Sequence, residues 1–424
     1  MKEKMKSNNA LKIAVIGGGA SGLTAAIFAA REAKKIGKNV KVTVYEGNSR
    51  IGKKILVTGN GRCNFTNENI SSVNYHGETA LAQSICEKFT NEDVKEFFCS
   101  LGLFSKSDFA GRVYPMSNQA TAVLDALRFE LIRLGIEEVT DTKIVSLKKD
   151  SHGFILNERY HCDKCIIATG GKAAPVQGSD GSGFILLKDF GIEVSSLLPA
   201  LTPIVCEDFT KSLKGIRAQG KISIKCGGKL LSEDTGEIQY TDYGLSGIPS
   251  MQVSRFVSGT LNVNKTDVFA FVDSCPFFTA DELKSALLTI IKNNPSLPGE
   301  MLLSGIMPKR LGMTLLSECS VNPSKNIGII HDAVLDRIVS AVKNKKYKVT
   351  AVKGFNDAQV TSGGIVGKEI NFDTLELKKV KGIYVCGEIV DVDGDCGGYN
   401  LQWAWSSGAA AGINSVRGFD KCFV

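Results

Sequence analysis

The feature that most constrains the fold is a glycine turn near the start of the chain. Residues 17–22 read Gly-Gly-Gly-Ala-Ser-Gly and satisfy the pattern G-x-G-x-x-G. The turn follows an apolar run, Leu11–Ile16, and opens an alanine-rich segment at residues 20–36 with helical periodicity. A second β-rich run, residues 40–46, ends in Glu46, 46 − 22 = 24 residues after Gly22. This order predicts a β-α-β unit that binds a dinucleotide.

The glycines of the turn have separate tasks in this interpretation. Gly17 permits the tight turn, Gly19 lets a pyrophosphate approach the backbone, and Gly22 lets helix and strand pack closely. The pyrophosphate would lie on the first N–H groups of the helix, beside Ala20 and Ser21. The alternative is a structural glycine turn with no ligand, because the pattern alone is weak in a glycine-rich chain.

The choice between a nicotinamide and a flavin dinucleotide depends on the C-terminal part of the chain. Glu46, followed by Gly47, would accept hydrogen bonds from ribose hydroxyls in either case. Near the C-terminus a strand precedes Gly387-Glu388, and a helix is predicted from Gly398 to residue 416. The acid can bind ribitol hydroxyls, and the helix N-terminus can stabilise negative charge on a reduced flavin. The C-terminal segment is therefore interpreted as part of an FAD site. The alternative is that it forms an acidic surface loop, without a ligand, before an ordinary helix.

Further motifs resemble those of the bacterial BaiN-type (YhiN-type) flavoproteins, usually described as NAD(P)/FAD-dependent oxidoreductases. The motifs are GGGASG with Glu46, GKKILVTGNGRCNFTN (52–67), GRVYPMS (111–117), IIATGG (166–171), TSGGI (361–365) and GEIVDVDGDCGGYNLQWAWSSG (387–408). The resemblance covers nearly the whole chain. It implies an α/β fold in which a Rossmann-like, glutathione-reductase-type FAD domain is interrupted by a β-barrel-like and helical insertion.

The resemblance also implies which residues contact FAD. Residues 58–64 would lie along the flavin, residues 398–401 would meet its pyrimidine edge, and two lysines would lie near the phosphates. With the turn, the predicted contacts are Gly17, Gly19, Ala20, Ser21, Gly22, Glu46, Gly47, Lys53, Lys54, Thr58, Gly59, Gly61, Arg62, Cys63, Asn64, Ile144, Thr169, Gly170, Gly387, Glu388, Gly398, Tyr399, Asn400 and Leu401. No catalytic residue is identified, and no metal site is predicted.

The sequence pattern divides the chain into three regions. Residues 1–198 and 350–424 are predicted to form the FAD-binding domain, which includes helical patterns at 79–101 and 118–134 and a strand at 143–147. A β-rich inserted domain is predicted at residues 199–275 and a helical inserted subdomain at 276–349. These boundaries follow a change to short strands and turns near residue 198 and the return of β-then-glycine sequence beyond residue 349.

Composition limits the classes of protein to which the chain can belong. Glycine contributes 44 of 424 residues, 43% are hydrophobic, and Lys+Arg minus Asp+Glu is 51 − 44 = +7. These values exclude a disordered chain, and the charge is far from a nucleic-acid footprint. Residues 1–10 carry no apolar signal segment, and the uncharged stretches 13–30 and 396–416 are too rich in glycine and polar residues to span a membrane. Reduced thiols and a cytoplasmic location are predicted.

Two weaker signals involve cysteine. Cys162 and Cys165 form a C-x-x-C pattern after His161, but a second pair for a zinc site is missing, so structural or incidental cysteines are favoured. A redox pair of Cys63 with Cys396, which lies in the other loop expected at the flavin, is conceivable.

A further weak signal is the segment with Arg112 and Tyr114. The arginine could neutralise a carboxylate or carbonyl oxygen and the tyrosine could donate a proton, although a buried structural hairpin is at least as consistent with the sequence.

The predicted function is an FAD-dependent oxidoreductase. NAD(P)H would reduce the flavin, which would pass hydride or electrons to an unidentified small organic acceptor. Bile-acid reduction is attributed to some members of the family and is not assumed here. The alternatives are an FAD-binding sensor and an RNA-associated flavoprotein; the second is disfavoured because basic residues are not clustered with aromatic ones in the sequence. No nucleic-acid or membrane partner is predicted, and the oligomeric state is left open.

Overall fold

The structure, a computed structural model, describes residues 10–263 and 266–417. Most of the N-terminal segment used in the signal prediction, and the last seven residues of the predicted FAD domain, lie outside the described residues. The chain divides into two compact units. We call the unit formed by Met1–Leu197 and Val360–Val424 the sheet unit, and the unit formed by Leu198–Gln359 the barrel unit.

The first part of the sheet unit contains most of its strands and helices. Its strands are β1 Leu11–Ile16, β2 Val40–Tyr45, β3 Thr66–Asn67, β4 Tyr75–Gly77, β5 Ser105–Ser107, β6 Arg112–Pro115, β7 Glu137–Val139, β8 Leu147–Asp150, β9 Gly153–Leu156, β10 Tyr160–Cys162 and β11 Lys164–Ile167. Its helices are α1 Ala20–Lys35, α2 Thr79–Lys88, α3 Asn91–Ser100, α4 Ala120–Leu134 and α5 Ser182–Lys188.

The barrel unit follows, and the chain then returns to the sheet unit. The strands of the barrel unit are β12 Leu198–Ala200, β13 Ile204–Cys206, β14 Arg217–Cys226, β15 Lys229–Tyr240, β16 Gly244–Ser246, β17 Val268–Asp273 and β18 Lys345–Val352. Its helices are α6 Ile248–Val263, α7 Ala280–Asn293, α8 Lys309–Glu318 and α9 Asp332–Lys343. The returning elements are β19 Val360–Ser362, β20 Ile383–Val385, β21 Val392–Gly394 and α10 Tyr399–Arg417.

A five-stranded parallel sheet forms the centre of the sheet unit. The strand order is β20-β11-β1-β2-β7, and every pairing is parallel. The last four residues of β1 and of β2 are all buried, because both faces of the sheet are covered. Parallel strands bring their carboxyl ends to one edge, so Gly17, Glu46, Thr169 and Gly387, which follow β1, β2, β11 and β20 closely in the chain, lie along the same edge.

Helices α1 and α10 pack closely against each other on this sheet. A Cβ atom added to Gly408 would lie 2.5 Å from the carbonyl oxygen of Ser21, and one added to Gly412 would lie 2.3 Å from that of Ala25. The two glycines therefore set the helix separation, and the N-terminal and C-terminal parts of the chain share one core.

The barrel unit contains a closed barrel with strand order β13-β16-β15-β14-β17-β18. Its interior is apolar because alternate residues of β17, namely Val268, Ala270 and Val272, are fully buried, whereas Phe269 and Phe271 are half-buried on the other face. The predicted return to the FAD domain at residue 350 falls inside β18, which pairs with both β13 and β17.

Three segments differ from the predicted secondary structure. Residues 143–146 are not a strand, because the backbone N–H groups of Val145 and Ser146 donate to the side-chain oxygen of Asn157, at 2.8 and 3.2 Å, instead of joining a ladder. The helix predicted at 79–101 is two helices, because Thr90 and Asp93 form a capping box that starts α3. Residues 248–263, predicted as strands and turns, form α6.

Within residues 10–263 and 266–417, no helix combines the length and the hydropathy needed to cross a membrane.

Candidate active site at the carboxyl edge of the sheet

The glycine turn leads directly from β1 into α1. Gly17 has a φ of +106°, and a Cβ atom there would lie 2.4 Å from the carbonyl oxygen of Ala168. A Cβ atom on Gly22 would lie 1.9 Å from the carbonyl oxygen of Gly17, so α1 approaches the turn at a distance that only glycine allows. A Cβ atom on Gly19 would meet no atom within 4 Å. Gly17 and Gly22 therefore serve packing, and Gly19 leaves the helix N-terminus at Ala20 accessible.

Glu46 fixes this turn from the end of β2. Its Oε2 accepts a hydrogen bond from the backbone N–H of Gly18 at 2.9 Å, and its Oε1 accepts from the backbone and side-chain nitrogens of Asn48 at 2.8 and 2.7 Å. A carboxylate has about four acceptor positions, so one remains for a hydroxyl group. Gly47 packs on Lys143: a Cβ atom added to Gly47 would lie 3.3 Å from the Cβ of Lys143.

The two lysines of the loop after β2 are bound to protein groups. The ammonium of Lys53 donates to the carbonyl oxygen of Val176 at 2.7 Å. Lys54 forms an ion pair with Glu388, with 2.8 Å between Nζ and Oε2, and donates to the carbonyl oxygen of Ala173 at 3.2 Å. These contacts fasten the loop to residues far away in the chain.

Residues 58–64 form an irregular turn with several left-handed residues. Gly59 and Gly61 have φ values of +56° and +80°, and Cys63, which has a side chain, has +58°. The hydroxyl of Thr58 donates to the carbonyl oxygen of Ile55 at 2.6 Å. Such backbone is held by its surroundings and is common at binding sites.

The thiol of Cys63 does not have the properties of a reactive cysteine. It is fully buried, and this burial raises its pKa to about 12, although a hydrogen bond with Thr58 acts in the opposite direction. Neither Cys63 nor the half-buried Cys396 is in a disulfide, so the conceivable redox pair is not joined in this structure.

Asn64 brings an unsatisfied acceptor to the start of α10. Its side-chain oxygen is buried and has no hydrogen-bond partner among the described residues. A Cβ atom on Gly398, which precedes α10 with a φ of +104°, would lie 2.9 Å from this oxygen. A buried acceptor and a helix N-terminus, which offers N–H donors, therefore converge at one place.

The loop that leads into α10 is braced from both sides. The side chain of Asn400 accepts from the N–H of Gly394 at 2.8 Å and donates to its carbonyl oxygen at 2.7 Å. The carbonyl oxygen of Tyr399 accepts from the hydroxyl of Tyr75 at 3.2 Å. Leu401, in the first turn, is half-buried against the core.

Glu388 connects three separate segments of the sheet unit. Besides pairing with Lys54 it accepts, through Oε1, a hydrogen bond from the backbone N–H of Thr361 at 2.9 Å. The hydroxyl of Thr361 in turn accepts from the N–H groups of Lys172 and Ala173 at 2.7 and 2.9 Å. Thr361 lies in a quoted motif but was not among the predicted contacts, because no local pattern indicates its role.

The remaining predicted contacts differ in accessibility. Gly387 donates its N–H to the hydroxyl of Ser407 at 2.9 Å, and an added Cβ would lie 2.4 Å from the hydroxyl of Ser21. Thr169 has a buried hydroxyl with no partner among the described residues, and Gly170 beside it has a φ of +74°. Ile144 is 3% exposed and packs in the core, so its side chain serves packing.

A group of polar side chains lies beside the turn at residues 58–64. The ring of Tyr114 contacts Gly59, with 3.5 Å between Cε1 and an added Cβ, and the guanidinium of Arg62 lies 4.6 Å from the ring centre. Burial raises the pKa of Tyr114, and Arg112 and Arg62 oppose this shift. Arg112 is already paired with Asp108, with 2.9 Å between Nε and Oδ2, so its charge is largely neutralised.

The sequence profile of the family described as the HI0933-like protein Rossmann domain matches residues 11–414. The chain belongs to the HI0933-like family. A 3-dehydro-bile acid delta(4,6)-reductase of Clostridium scindens is 39% identical over 407 residues, which are 95% of this chain and 98% of that protein. A ribosomal RNA dihydrouridine synthase of Haemophilus influenzae is 28% identical over 417 residues, with 95% and 98% covered.

A solved structure of 3-ketosteroid delta1-dehydrogenase from Sterolibacterium denitrificans aligns with 96% of this HI0933-like chain and all of its own, at 11% identity and a TM-score of 0.48. A TM-score at this level supports no conclusion about function. Membership of the family confirms the predicted BaiN-type resemblance, and the predicted Rossmann-type fold with an inserted barrel is also confirmed. The chain is an FAD-dependent oxidoreductase.

Proposed function

We propose that the sheet unit holds FAD along the carboxyl edge of its parallel sheet, through the residues predicted from the sequence. The observation that carries this proposal is the buried, unpartnered side-chain oxygen of Asn64 beside the N-terminus of α10. The pyrimidine edge of a flavin presents an N–H donor between two carbonyl oxygens. An acceptor next to helix N–H groups is the complementary arrangement, so the residues present fit this group.

The other parts of the proposed site follow from the same edge. The pyrophosphate would lie on the N-terminus of α1 beside Gly19, where an added Cβ meets nothing. Glu46, with one acceptor position left, would bind ribose hydroxyls, and Glu388 would face the ribitol chain. Lys53 and Lys54 act mainly by holding the loop in place, because both are bound to protein groups.

We propose that the reaction is the reduction of a carbon–carbon double bond conjugated to a carbonyl group. The two relatives are named for the reduction of delta(4,6) bonds in a 3-dehydro-bile acid and for the formation of dihydrouridine in RNA. Both names describe saturation of such a bond. Bound FAD would supply hydride transfer between NAD(P)H and the acceptor. NAD(P)H would lose a hydride, and the acceptor would gain that hydride at one carbon and a proton at its neighbour.

The proton requires a donor, and Tyr114 is our candidate. Its ring lies against Gly59 in the turn proposed to contact the flavin, and it is 5% exposed. Because burial raises its pKa, the hydroxyl stays protonated at neutral pH, as a donor must. Arg62, over the ring, would stabilise negative charge on the oxygen as the proton leaves.

The test is anaerobic reduction of the FAD-loaded protein by NADH and by NADPH, followed by reoxidation with chosen acceptors. We expect a conjugated 3-oxo steroid to reoxidise the reduced protein, and the matched saturated 3-oxo steroid to leave it reduced. Equal reoxidation by the saturated ketone would exclude double-bond reduction. Failure of both nucleotides to reduce bound FAD would exclude NAD(P)H as the donor.

A second candidate, reduction of uridine in RNA, is supported by a surface of the barrel unit. Phe269 and Phe271 lie on its outer face, with the ammonium of Lys346 3.7 Å from the Phe269 ring centre and that of Lys225 4.7 Å from the Phe271 ring centre. Lysines near aromatic rings are the elements with which proteins bind single-stranded nucleic acid. We call these four residues the Lys–Phe surface.

The Lys–Phe surface is formed by strand pairing and is not visible as a cluster in the sequence. The residues are far apart in the sequence, but β14, β17 and β18 are neighbours, so Lys225 pairs in register with Phe269 and Lys346 with Phe271. Nearby, Lys348 lies 3.3 Å from Glu207 and is therefore partly neutralised.

The two candidates are separated by giving the reduced protein a uridine-containing single-stranded RNA. Formation of dihydrouridine, detected by mass spectrometry of the digested RNA, would favour this candidate, while turnover of the steroid alone would exclude it. A cytoplasmic location, which either substrate allows, remains part of the proposal.

A further inference from the structure

The C-x-x-C segment brings two thiols together at the opposite end of the sheet unit from the proposed FAD site. The sulfur atoms of Cys162 and Cys165 lie 3.3 Å apart, and both residues are free cysteines. A disulfide requires a sulfur–sulfur distance of about 2 Å, so a movement of little more than one ångström would join them.

The two cysteines belong to different sheets. Cys162 ends β10 and pairs with Phe154 in the three-stranded sheet β10-β9-β8. Cys165 lies in β11, between β20 and β1 of the parallel sheet, where it pairs with Ala14 and Ile383. The turn between them is held to β1, because Asp163 Oδ2 accepts from the N–H of Lys12 at 2.6 Å. A bond between the two sulfur atoms would therefore fasten one sheet to the other.

A cavity gives access to one member of the pair. Cys162 borders a cavity of 390 Å³ that Lys12, His152 and His161 also line. Two carboxylates line the same cavity, but each accepts a backbone hydrogen bond: Asp150 from the N–H of His152, and Asp163 from that of Lys12. The cavity is large enough for a small hydroperoxide.

The two thiols differ in burial. A two-step oxidation requires that the thiol which reacts first is the more accessible one. Cys162 is 7% exposed at the cavity, whereas Cys165 is fully buried in the parallel sheet. Burial also raises the pKa of Cys165 well above its usual range, so this thiol is protonated while both cysteines are reduced.

We infer that Cys162 and Cys165 form a peroxide-sensitive dithiol, in which Cys162 reacts first and Cys165 completes a reversible disulfide. The Cys162 sulfur attacks the hydroperoxide, a sulfur–oxygen bond forms as the oxygen–oxygen bond breaks, and water leaves. The Cys165 sulfur then attacks that of Cys162, the sulfur–oxygen bond breaks, and the departing oxygen takes the thiol proton as a second water. Two thiols lose two electrons and one hydrogen peroxide gains them.

The experiment is a titration of the reduced, FAD-loaded protein with hydrogen peroxide. Thiols are counted after denaturation, and digested peptides are examined by mass spectrometry without reduction. We expect the loss of two thiols, a linked peptide with two hydrogens fewer, and full recovery with dithiothreitol. The Cys165→Ala variant should instead stop at a sulfenic acid on Cys162, which dimedone traps, and Cys162→Ala should form no linked peptide.

Cys99 provides the matched control, because it is an exposed cysteine that is not in a disulfide. We expect the Cys162–Cys165 link to form at peroxide concentrations that leave Cys99 largely unmodified. If Cys99 is oxidised while the Cys162–Cys165 peptide stays in its dithiol form, the inference is wrong. The wild-type peptide map gives this answer even if one of the variants fails to fold, and it is independent of the proposed reductase activity.

Discussion

The sheet unit and the barrel unit differ in how their candidate functional residues are brought together. In the sheet unit, Gly17 and Glu46 follow directly after strands, so their positions on one edge are set by the order of elements in the sequence. In the barrel unit, Lys225 and Phe269 lie on separate strands and become neighbours only because β14 and β17 pair in a particular register. Motifs therefore indicate the first kind of site, whereas the second becomes visible only when the strand pairing is known.

The largest expected effect contrasts two glycines of the turn. We expect Gly22→Ala to lower the free energy of unfolding of the sheet unit by more than about 4 kcal/mol, because its Cβ would overlap the backbone of Gly17 at 1.9 Å. Gly19→Ala should change that free energy by less than about 1 kcal/mol but weaken FAD binding at least tenfold. Urea unfolding and FAD titration measure both. Equal loss of stability in the two variants would contradict the assigned roles.

The next effect concerns proton donation in the sheet unit. Tyr114→Phe should lower kcat about 10²-fold or more while FAD binding is unchanged, since only a hydroxyl is removed. Because the raised pKa keeps the phenol protonated, this donor should not limit the wild-type rate up to roughly pH 9. Tyr243 in the barrel unit is the matched control: burial raises its pKa too, and Tyr243→Phe should leave kcat unchanged. A wild-type profile that falls with a pKa near neutrality would argue against Tyr114.

A smaller effect is expected from removing one of two buried side-chain oxygens, that of Asn64 in the sheet unit or that of Ser250 in the barrel unit. Neither oxygen has a hydrogen-bond partner among the described residues. Asn64→Ala should weaken FAD binding about tenfold, through loss of a hydrogen bond, without lowering the stability of the FAD-free protein. Ser250→Ala, in the barrel unit, should likewise preserve stability but leave FAD affinity unchanged. Calorimetry with and without FAD distinguishes the two. Unchanged FAD affinity in Asn64→Ala would remove the main support for the proposed flavin position.

The smallest effect tests the Lys–Phe surface. If RNA binds there, the Lys225→Ala/Lys346→Ala double variant should reduce the salt dependence of RNA binding by about two charges. Lys214→Ala is the control, because that exposed lysine of the same unit is paired with Asp242 at 2.7 Å. Fluorescence anisotropy over a salt series measures the slope, and identical slopes for all three proteins would exclude the surface as an RNA site.

The sequence predicts the sheet unit well where a glycine closely follows the end of a strand, as at Gly17 and Gly387. It does not predict the contacts of Glu388 with Lys54 and Thr361, because these join loops that are distant in the chain. The break between α2 and α3 had a local signal, the T-x-x-D spacing of Thr90 and Asp93, which the continuous helical pattern concealed.

Helix α6 was missed for a different reason. Its buried face contains Ser250, Ser254 and Ser258 beside Val253 and Val257, so half of the core-facing stripe reads as polar. Two of these hydroxyls find partners: that of Ser254 donates to the carbonyl oxygen of Met251 and that of Ser258 to the carbonyl oxygen of Pro199, both at 2.6 Å. Hydrogen bonding lets serine occupy core positions, and a helix prediction based on the spacing of apolar residues does not count such positions.

The glycine contact between α1 and α10 has a consequence for synthesis on the ribosome. Helix α1 is translated before the barrel unit, whereas its partner α10, packed through Gly408 and Gly412, is translated after it. The barrel unit, Leu198–Gln359, is continuous in sequence and is complete in the nascent chain before then. The inserted unit can therefore fold first, while α1 has no packing partner on its glycine-contact side until α10 has been translated.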